Sequence, residues 1–175
     1  MKTVKDYVRT IPDFPEPGIM FRDITTVVQD PDGLKLAIDT MQDLVKDIEF
    51  DVVAGAESRG FVFGTPIAYN LHKPMTLVRK KGKLPYKTVS MDYTLEYGGV
   101  TTLEIHEDAI LPGQKVLLVD DLLATGGTLQ AMVKLVEKVG GEVAGILVLL
   151  ELAGLNGREL LKGYPVFSAV SYEGK

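Results

Sequence analysis

The chain has 175 residues, 46% hydrophobic and 25% charged, which suits one globular domain with a sizeable core. Its net charge of −5 argues against a general nucleic-acid surface; the lack of cysteine excludes disulfides, thiol catalysis and thiolate metal sites, and two histidines are too few for a His-rich metal centre. No apolar run reaches membrane-spanning length and MKTVKDYVRT lacks a signal-peptide core, so the expectation is a cytoplasmic protein with no membrane partner.

Lys2–Thr10 reads as a short helix. Ile11–Asp23, IPDFPEPGIMFRD, carries too many prolines for a regular helix and predicts a stiff, extended path. Proline with exposed aromatics can wall a flat apolar ligand, although composition alone favours a surface arm packed on the core. Asp30-Pro31 opens a packing helix with Leu34, Ile38, Met41, Leu44/Val45 and Ile48 at helical spacing. Asp51–Ala56 is a short buried strand ending in Glu57-Ser58-Arg59-Gly60, and an apolar helix starts at Phe61. An arginine at such a turn either clamps an anion or pairs with a nearby carboxylate.

Met75–Arg79 predicts a third strand, leading into a run with five basic residues, Arg79, Lys80, Lys81, Lys83 and Lys87. Such a run is either a solvated face or a site for a polyanion. Val89–Tyr97 and Val100–His106 alternate in polarity around Gly98-Gly99 and read as a β-ribbon. Within it Glu96 reads as an edge-strand carboxylate, and His106 as a structural or surface histidine.

The stretch Val116–Thr128, VLLVDDLLATGGT, is the most informative. Val116–Val119 reads as a parallel strand buried on both faces and ending at Asp120 and Asp121. Thr125-Gly126-Gly127-Thr128 then leads into a helix with Leu129, Met132, Val133, Val136 and Val139 on one face. Glycine amides at a helix N-terminus suit a phosphate, with hydroxyls from Thr125 and Thr128, and Thr128 is a candidate helix cap. Two carboxylates beside a phosphate cradle fit sugar hydroxyls or a metal ion; pointing in different directions, they need not repel strongly. A sugar phosphate satisfies both halves, while a plain strand-to-helix turn is the alternative. Val143–Leu150 is another buried strand with Glu151-Leu152 at its end, followed by a short helix at Asn156–Lys162 and a last strand at Val166–Val170.

Four of these segments, in this order, resemble the type I phosphoribosyltransferases, in the form seen in the adenine phosphoribosyltransferases: the Asp-Phe-Pro-x-Pro-Gly-x-x-Phe-Arg-Asp segment, Arg-Lys-x-Gly-Lys-Leu-Pro, Leu-Glu-Tyr-Gly, and Asp-Asp-Leu-Leu-Ala-Thr-Gly-Gly-Thr. The resemblance implies an α/β, three-layer fold with a mostly parallel twisted sheet flanked by helices, as a single domain over 1–175. It further implies an N-terminal arm and hood over 1–29 and a mobile β-ribbon lid over 80–106. It implies transfer of the 5-phosphoribosyl group from phosphoribosyl pyrophosphate (PRPP) to adenine, giving AMP and pyrophosphate in purine salvage. Mg²⁺ would arrive chelated by substrate oxygens and water, and a homodimer is the family expectation.

By the same resemblance, Asp120 and Asp121 bond the ribose hydroxyls and Ala124, Thr125, Gly126, Gly127 and Thr128 hold the 5′-phosphate. Ser58 and Arg59 contact pyrophosphate at a turn often strained between residues 57 and 58, and Arg79, Lys80 and Lys83 join them. Glu57 carries no assigned chemistry. Phe21 stacks on the purine, the Met20 backbone bonds its edge, Arg22 anchors the hood and Leu152 walls the base pocket. Glu96, with Tyr97 beside it in the lid motif, approaches the purine nitrogen that takes up a proton, so Glu96 and Arg59 are the catalytic candidates. Rival readings are a phosphoribosyltransferase for another base, a PRPP-sensing regulator, for which the chain lacks a DNA-binding segment, and a phosphoacceptor receiver domain, in which the acidic pair would stand near the N-terminus.

Overall fold

A computed structural model describes residues 1–95 and 98–174. Its centre is a seven-stranded sheet in the order β5-β6-β4-β3-β7-β8-β9. The members are β3 (Val52–Ala56), β4 (Met75–Lys80), β5 (Thr88–Thr94), β6 (Val100–His106), β7 (Lys115–Leu123), β8 (Glu142–Leu152) and β9 (Val166–Tyr172). β4, β3, β7, β8 and β9 run parallel, while β6 pairs antiparallel to β4 and β5 to β6. Apart from it, β1 (Arg9–Pro12) and β2 (Met20–Asp23) form an antiparallel ribbon at the N-terminus.

Alternate residues of the buried strands feed two cores, one on each face. Leu117, Val119, Leu147 and Leu149 pack with α3 (Pro31–Leu44) and α4 (Arg59–Leu71). Val116, Leu118, Ile146 and Val148 pack with α5 (Gly127–Lys138). The short helices α1 (Val4–Tyr7) and α2 (Thr25–Val28) join the first layer. This is the three-layer arrangement expected, and it explains why the central strands show no polar alternation: both faces are covered.

Several boundaries differ from the sequence reading. The N-terminal helix is only Val4–Tyr7, because Arg9–Pro12 is taken into the hood ribbon. β7 does not stop at Asp120: it runs to Leu123 because β8 continues alongside it, pairing Leu122 with Leu150 and Leu123 with Glu151. The helix expected at Asn156–Lys162 is instead two 3-10 turns, Ala153–Leu155 and Gly157–Leu161, with Asn156 between them at φ 55°. Helix α3 starts as expected: the Asp30 carboxylate accepts from the amides of Asp32 and Gly33, with Pro31 in the first turn.

Candidate active site

The chain leaves β3 for β4 on one side of the sheet and leaves β7 for β8 on the other. The carboxyl ends of the neighbouring strands β3 and β7 thus open a crevice between two diverging turns, the place where open α/β sheets bind ligands. A cavity of about 250 Å³ lies there, lined among others by Ser58, Arg59, Lys80, Tyr93, Asp120, Asp121 and Thr128. A second hollow of about 200 Å³ follows the loop from Asp120 to Leu129. A larger depression of about 820 Å³, between α3 and the start of β7, lies apart from these residues.

Two close approaches bring the turns together. Gly60, in the first turn of α4, lies so near β7 that a Cβ there would stand 3.1 Å from the Val119 carbonyl and 3.2 Å from Asp120 Oδ1. Arg59 is carried with it, and its Nε lies 2.8 Å from Asp121 Oδ2. Of the two sequence readings of this arginine, the pairing with a carboxylate is observed, and the residue also lines the cavity. Besides Nε, a guanidinium carries further N–H donors of the kind that clamp an anion.

The aspartates are more strongly coupled than adjacency alone suggests. Asp121 is buried, and its amide donates to Asp120 Oδ1 at 2.9 Å. Asp120 keeps some surface towards the cavity, but burial of its carboxyl, and next the negative charge of Asp121, hold its pKa well above the ordinary carboxylate range. The expectation that the pair would not repel strongly is corrected here: they share one poorly hydrated site, where unscreened charge is costly.

Ala124–Gly126 forms the bend after β7, and α5 begins at Gly127. Thr128 does not cap the helix. The residue at the cap is Gly126, at φ 92°, and the Thr128 hydroxyl lies 3.4 Å from the Tyr93 hydroxyl. The bend thus ends on a 12-residue helix, whose first amides face the loop as anion donors.

The basic arm divides. Lys80 lines the cavity, and its amide donates to Glu57 Oε1 at 2.6 Å. Arg79 is half-buried beside Glu57, with Nε 3.6 Å from Oε1, and does not line the cavity. Neither does Lys83, which lies in the exposed turn after β4. Glu57 and Ser58 are joined by a cis peptide bond.

The hood ribbon holds Met20, exposed, and Phe21, half-buried, with the Phe21 ring edge-on to Phe14 at 5.2 Å. Arg22 is its anchor: Nη1 donates to Thr10 Oγ1 at 2.7 Å, and the guanidinium sits 4.1 Å from the Tyr172 ring centre. Tyr172 is paired in register with Leu152 at the sheet's carboxyl edge. No lining residue of the crevice cavity comes from the hood. Glu96 and Tyr97 lie outside the described residues.

Tyr93 and Glu57 had no role in the sequence reading. Tyr93 was legible in the period-2 alternation of β5, where Val89, Met91 and Tyr93 all turn to the core beneath α5. His106 is structural, as expected: Nε2 accepts the Tyr86 amide at 3.2 Å.

Comparison with known proteins agrees with this geometry. Residues 23–170 match the model of the phosphoribosyl transferase domain. The chain is 67% identical over 175 residues, all of both chains, to adenine phosphoribosyltransferase of Agathobacter rectalis. The crystal structure of adenine phosphoribosyltransferase from Thermoanaerobacter pseudethanolicus superposes with a TM-score of 0.92 at 48% identity, covering 97% of this chain and 98% of that one. The Saccharomyces cerevisiae enzyme, crystallised with an imino-altritol bisphosphate and adenine, gives 0.88 at 35% identity, covering 95% and 96%.

Proposed function

We infer that this chain, which belongs to the adenine phosphoribosyltransferase family, transfers the 5-phosphoribosyl group of PRPP to adenine, releasing AMP and pyrophosphate. The observation that carries the reading is the meeting of the Ser58–Arg59 turn with the Asp120–Thr128 run around two hollows that share Arg59, Asp120, Asp121 and Thr128, with cations facing a carboxylate pair and an amide bend.

In this reading the bend Ala124–Thr128 takes the 5′-phosphate and Asp120 and Asp121 take the ribose hydroxyls. Arg59, Ser58 and Lys80 face the pyrophosphate. Arg79, fixed in β4 beside Glu57, reaches it only by a change of its side chain, and Lys83 through movement of the turn that carries it. The bond from C1′ to pyrophosphate breaks as adenine N9 attacks, through an oxocarbenium-like transition state. Cations fixed beside the leaving group stabilise the charge building on it, and the aspartates hold the pentose and stabilise its positive charge. Phe21, Met20 and Leu152 receive the base. The ribbon Thr88–His106 closes as a lid, bringing Glu96 and Tyr97 over the substrates and excluding water that would hydrolyse PRPP.

Among the described residues, no three acidic or histidine side chains converge as a metal cage. Asp121 is already ion-paired with Arg59, and both aspartates are given to the ribose, so a hard cation here would bring its ligands with it. Mg²⁺ chelated by PRPP and water supplies charge neutralisation on the pyrophosphate. A homodimer is the family expectation, and the exposed apolar side chains Val62 and Tyr69 on α4 and Leu77 on β4 are surface that a second copy would cover. A cytoplasmic location suits this reading, because PRPP and AMP are phosphorylated and do not cross a membrane unaided. No helix among the described residues is long and apolar enough to cross one.

The test is steady-state turnover of adenine with PRPP and Mg²⁺, with hypoxanthine and guanine as competing bases. AMP as the dominant product is expected. Absence of AMP, or equal use of the 6-oxopurines, overturns the assignment.

A further inference from the structure

The phosphate bend is held from behind by another part of the chain. A Cβ on Gly126 would stand 2.6 Å from the Gly157 carbonyl, and a Cβ on Gly157 would collide with the Ala124 carbonyl and stand 2.7 Å from Leu123 Cδ1. The two backbones therefore touch with no side chain between them. Gly126 is glycine for this contact as well as for its positive φ.

Gly157 opens a five-residue 3-10 turn, an element with little stability of its own. Its neighbour Arg158 pins it. Nε and Nη2 of Arg158 donate to Glu151 Oε2 and Oε1 at 2.7 and 2.8 Å, and Nη1 donates to the Val166 carbonyl at 3.1 Å. Ser168 Oγ adds a further bond to Glu151 Oε1 at 2.9 Å. Glu151 is buried and stands in register opposite Leu123, the residue immediately before the bend. The clamp thus joins β8, β9 and the turn at the point where the bend leaves the sheet.

We propose that Arg158 is a positioning residue for the 5′-phosphate bend, acting through Gly157 and held by its two-pronged bond to Glu151. Phosphate amides act only when held to a fraction of an ångström, and a lysine cannot reproduce the planar fork. The inference rests on the reading of Ala124–Thr128 as the phosphate site.

The test compares full-length wild type, Arg158→Lys and Gly157→Ala. Direct titration with ribose 5-phosphate and with pyrophosphate is set beside KM for PRPP and for adenine. Both variants should bind ribose 5-phosphate about tenfold or more weakly and raise KM for PRPP, on the scale at which small displacements cost catalysis. Pyrophosphate affinity should stay within about twofold of wild type, since the Ser58–Arg59 turn and Lys80 lie on other elements, while KM for adenine, whose pocket includes Leu152 beside Glu151, should rise less than KM for PRPP. A folded Arg158→Lys protein that merely melts earlier, with ribose 5-phosphate bound as in wild type, overturns the inference. Loss of affinity for both ligands alike also overturns it, because that marks general loosening. If wild type itself binds no ribose 5-phosphate, the phosphate reading beneath it has failed instead.

Discussion

Arg59 Nε stands 2.8 Å from Asp121 Oδ2, a half-exposed guanidinium against a buried carboxylate. The pair ties the turn after β3 to the end of β7, so the two walls of the cavity are joined to each other. Asp121→Asn should keep the fold and lower kcat/KM for AMP formation at least about tenfold, or ~1.4 kcal/mol in the transition state. If the two residues act as a unit, adding Arg59→Met should cost less than the sum of the single losses. Wild-type kinetics in Asp121→Asn would remove its ribose assignment.

Asp120 gives a pH-dependent stability whose sign is fixed by the direction of its shift. Burial, then the charge of Asp121, raises its folded pKa above the unfolded value. A raised carboxyl contributes its full stability below the unfolded pKa of about 3.9, and that contribution is lost as pH rises through the folded value. Wild type therefore carries a penalty at neutral pH that an amide avoids. Asp120→Asn should melt a few °C higher near pH 7–8, where ~1 kcal/mol moves Tm by about 2–4 °C, and the gap should close towards pH ~4. The same variant should turn over PRPP poorly. A gap constant across pH, or reversed in sign, would contradict the environment described for this carboxyl.

Gly60 separates site geometry from stability. Alanine should gain up to about 1 kcal/mol of helix propensity in α4, which offsets part of the contact with Val119 and Asp120. Gly60→Ala is expected to change stability by no more than ~1 kcal/mol while kcat/KM falls several-fold, as the Arg59 turn is pushed from β7. Thermal melts beside steady-state kinetics check it; unchanged kinetics would show that the approach of α4 to β7 does not set the site.

The hood predicts a loss confined to the base. Phe21 presents a half-buried ring braced by Phe14, and Arg22 fastens its strand over Tyr172. Phe21→Ala should raise KM for adenine about tenfold, ~1.4 kcal/mol, with KM for PRPP little changed. A rise in KM for PRPP alone would assign the hood to the other substrate.

The hood's stability should also fail in acid. Asp23 accepts from the Thr25 hydroxyl and amide and from Arg9, and these bonds lower its pKa to about 2. A depressed carboxyl contributes stability above its unfolded pKa and loses it as pH falls through the folded value, here between about 4 and 2. Asp23→Asn should lower Tm at neutral pH, with the difference from wild type vanishing near pH 2 if the fold survives there.

The sequence alone determined the strand–turn–helix units, the glycine bend before α5 and the position of the acidic pair, because unbroken apolar runs, glycine turns and helical spacing are local patterns, while the resemblance to a family implied the layered α/β fold. It also placed Arg59 at the turn between β3 and α4, leaving open whether the arginine would be paired. Only the tertiary structure decided that its partner is Asp121, that Asp120 is held protonated more readily than an exposed acid, and that Arg79 and Lys83 stand away from the cavity. It also showed that Gly126 answers to Gly157 and that Tyr93 reaches Thr128. The physical reason is that charge coupling, desolvation and backbone contact depend on distances between segments far apart in the chain, and those distances exist only once the strands have taken their order in the sheet.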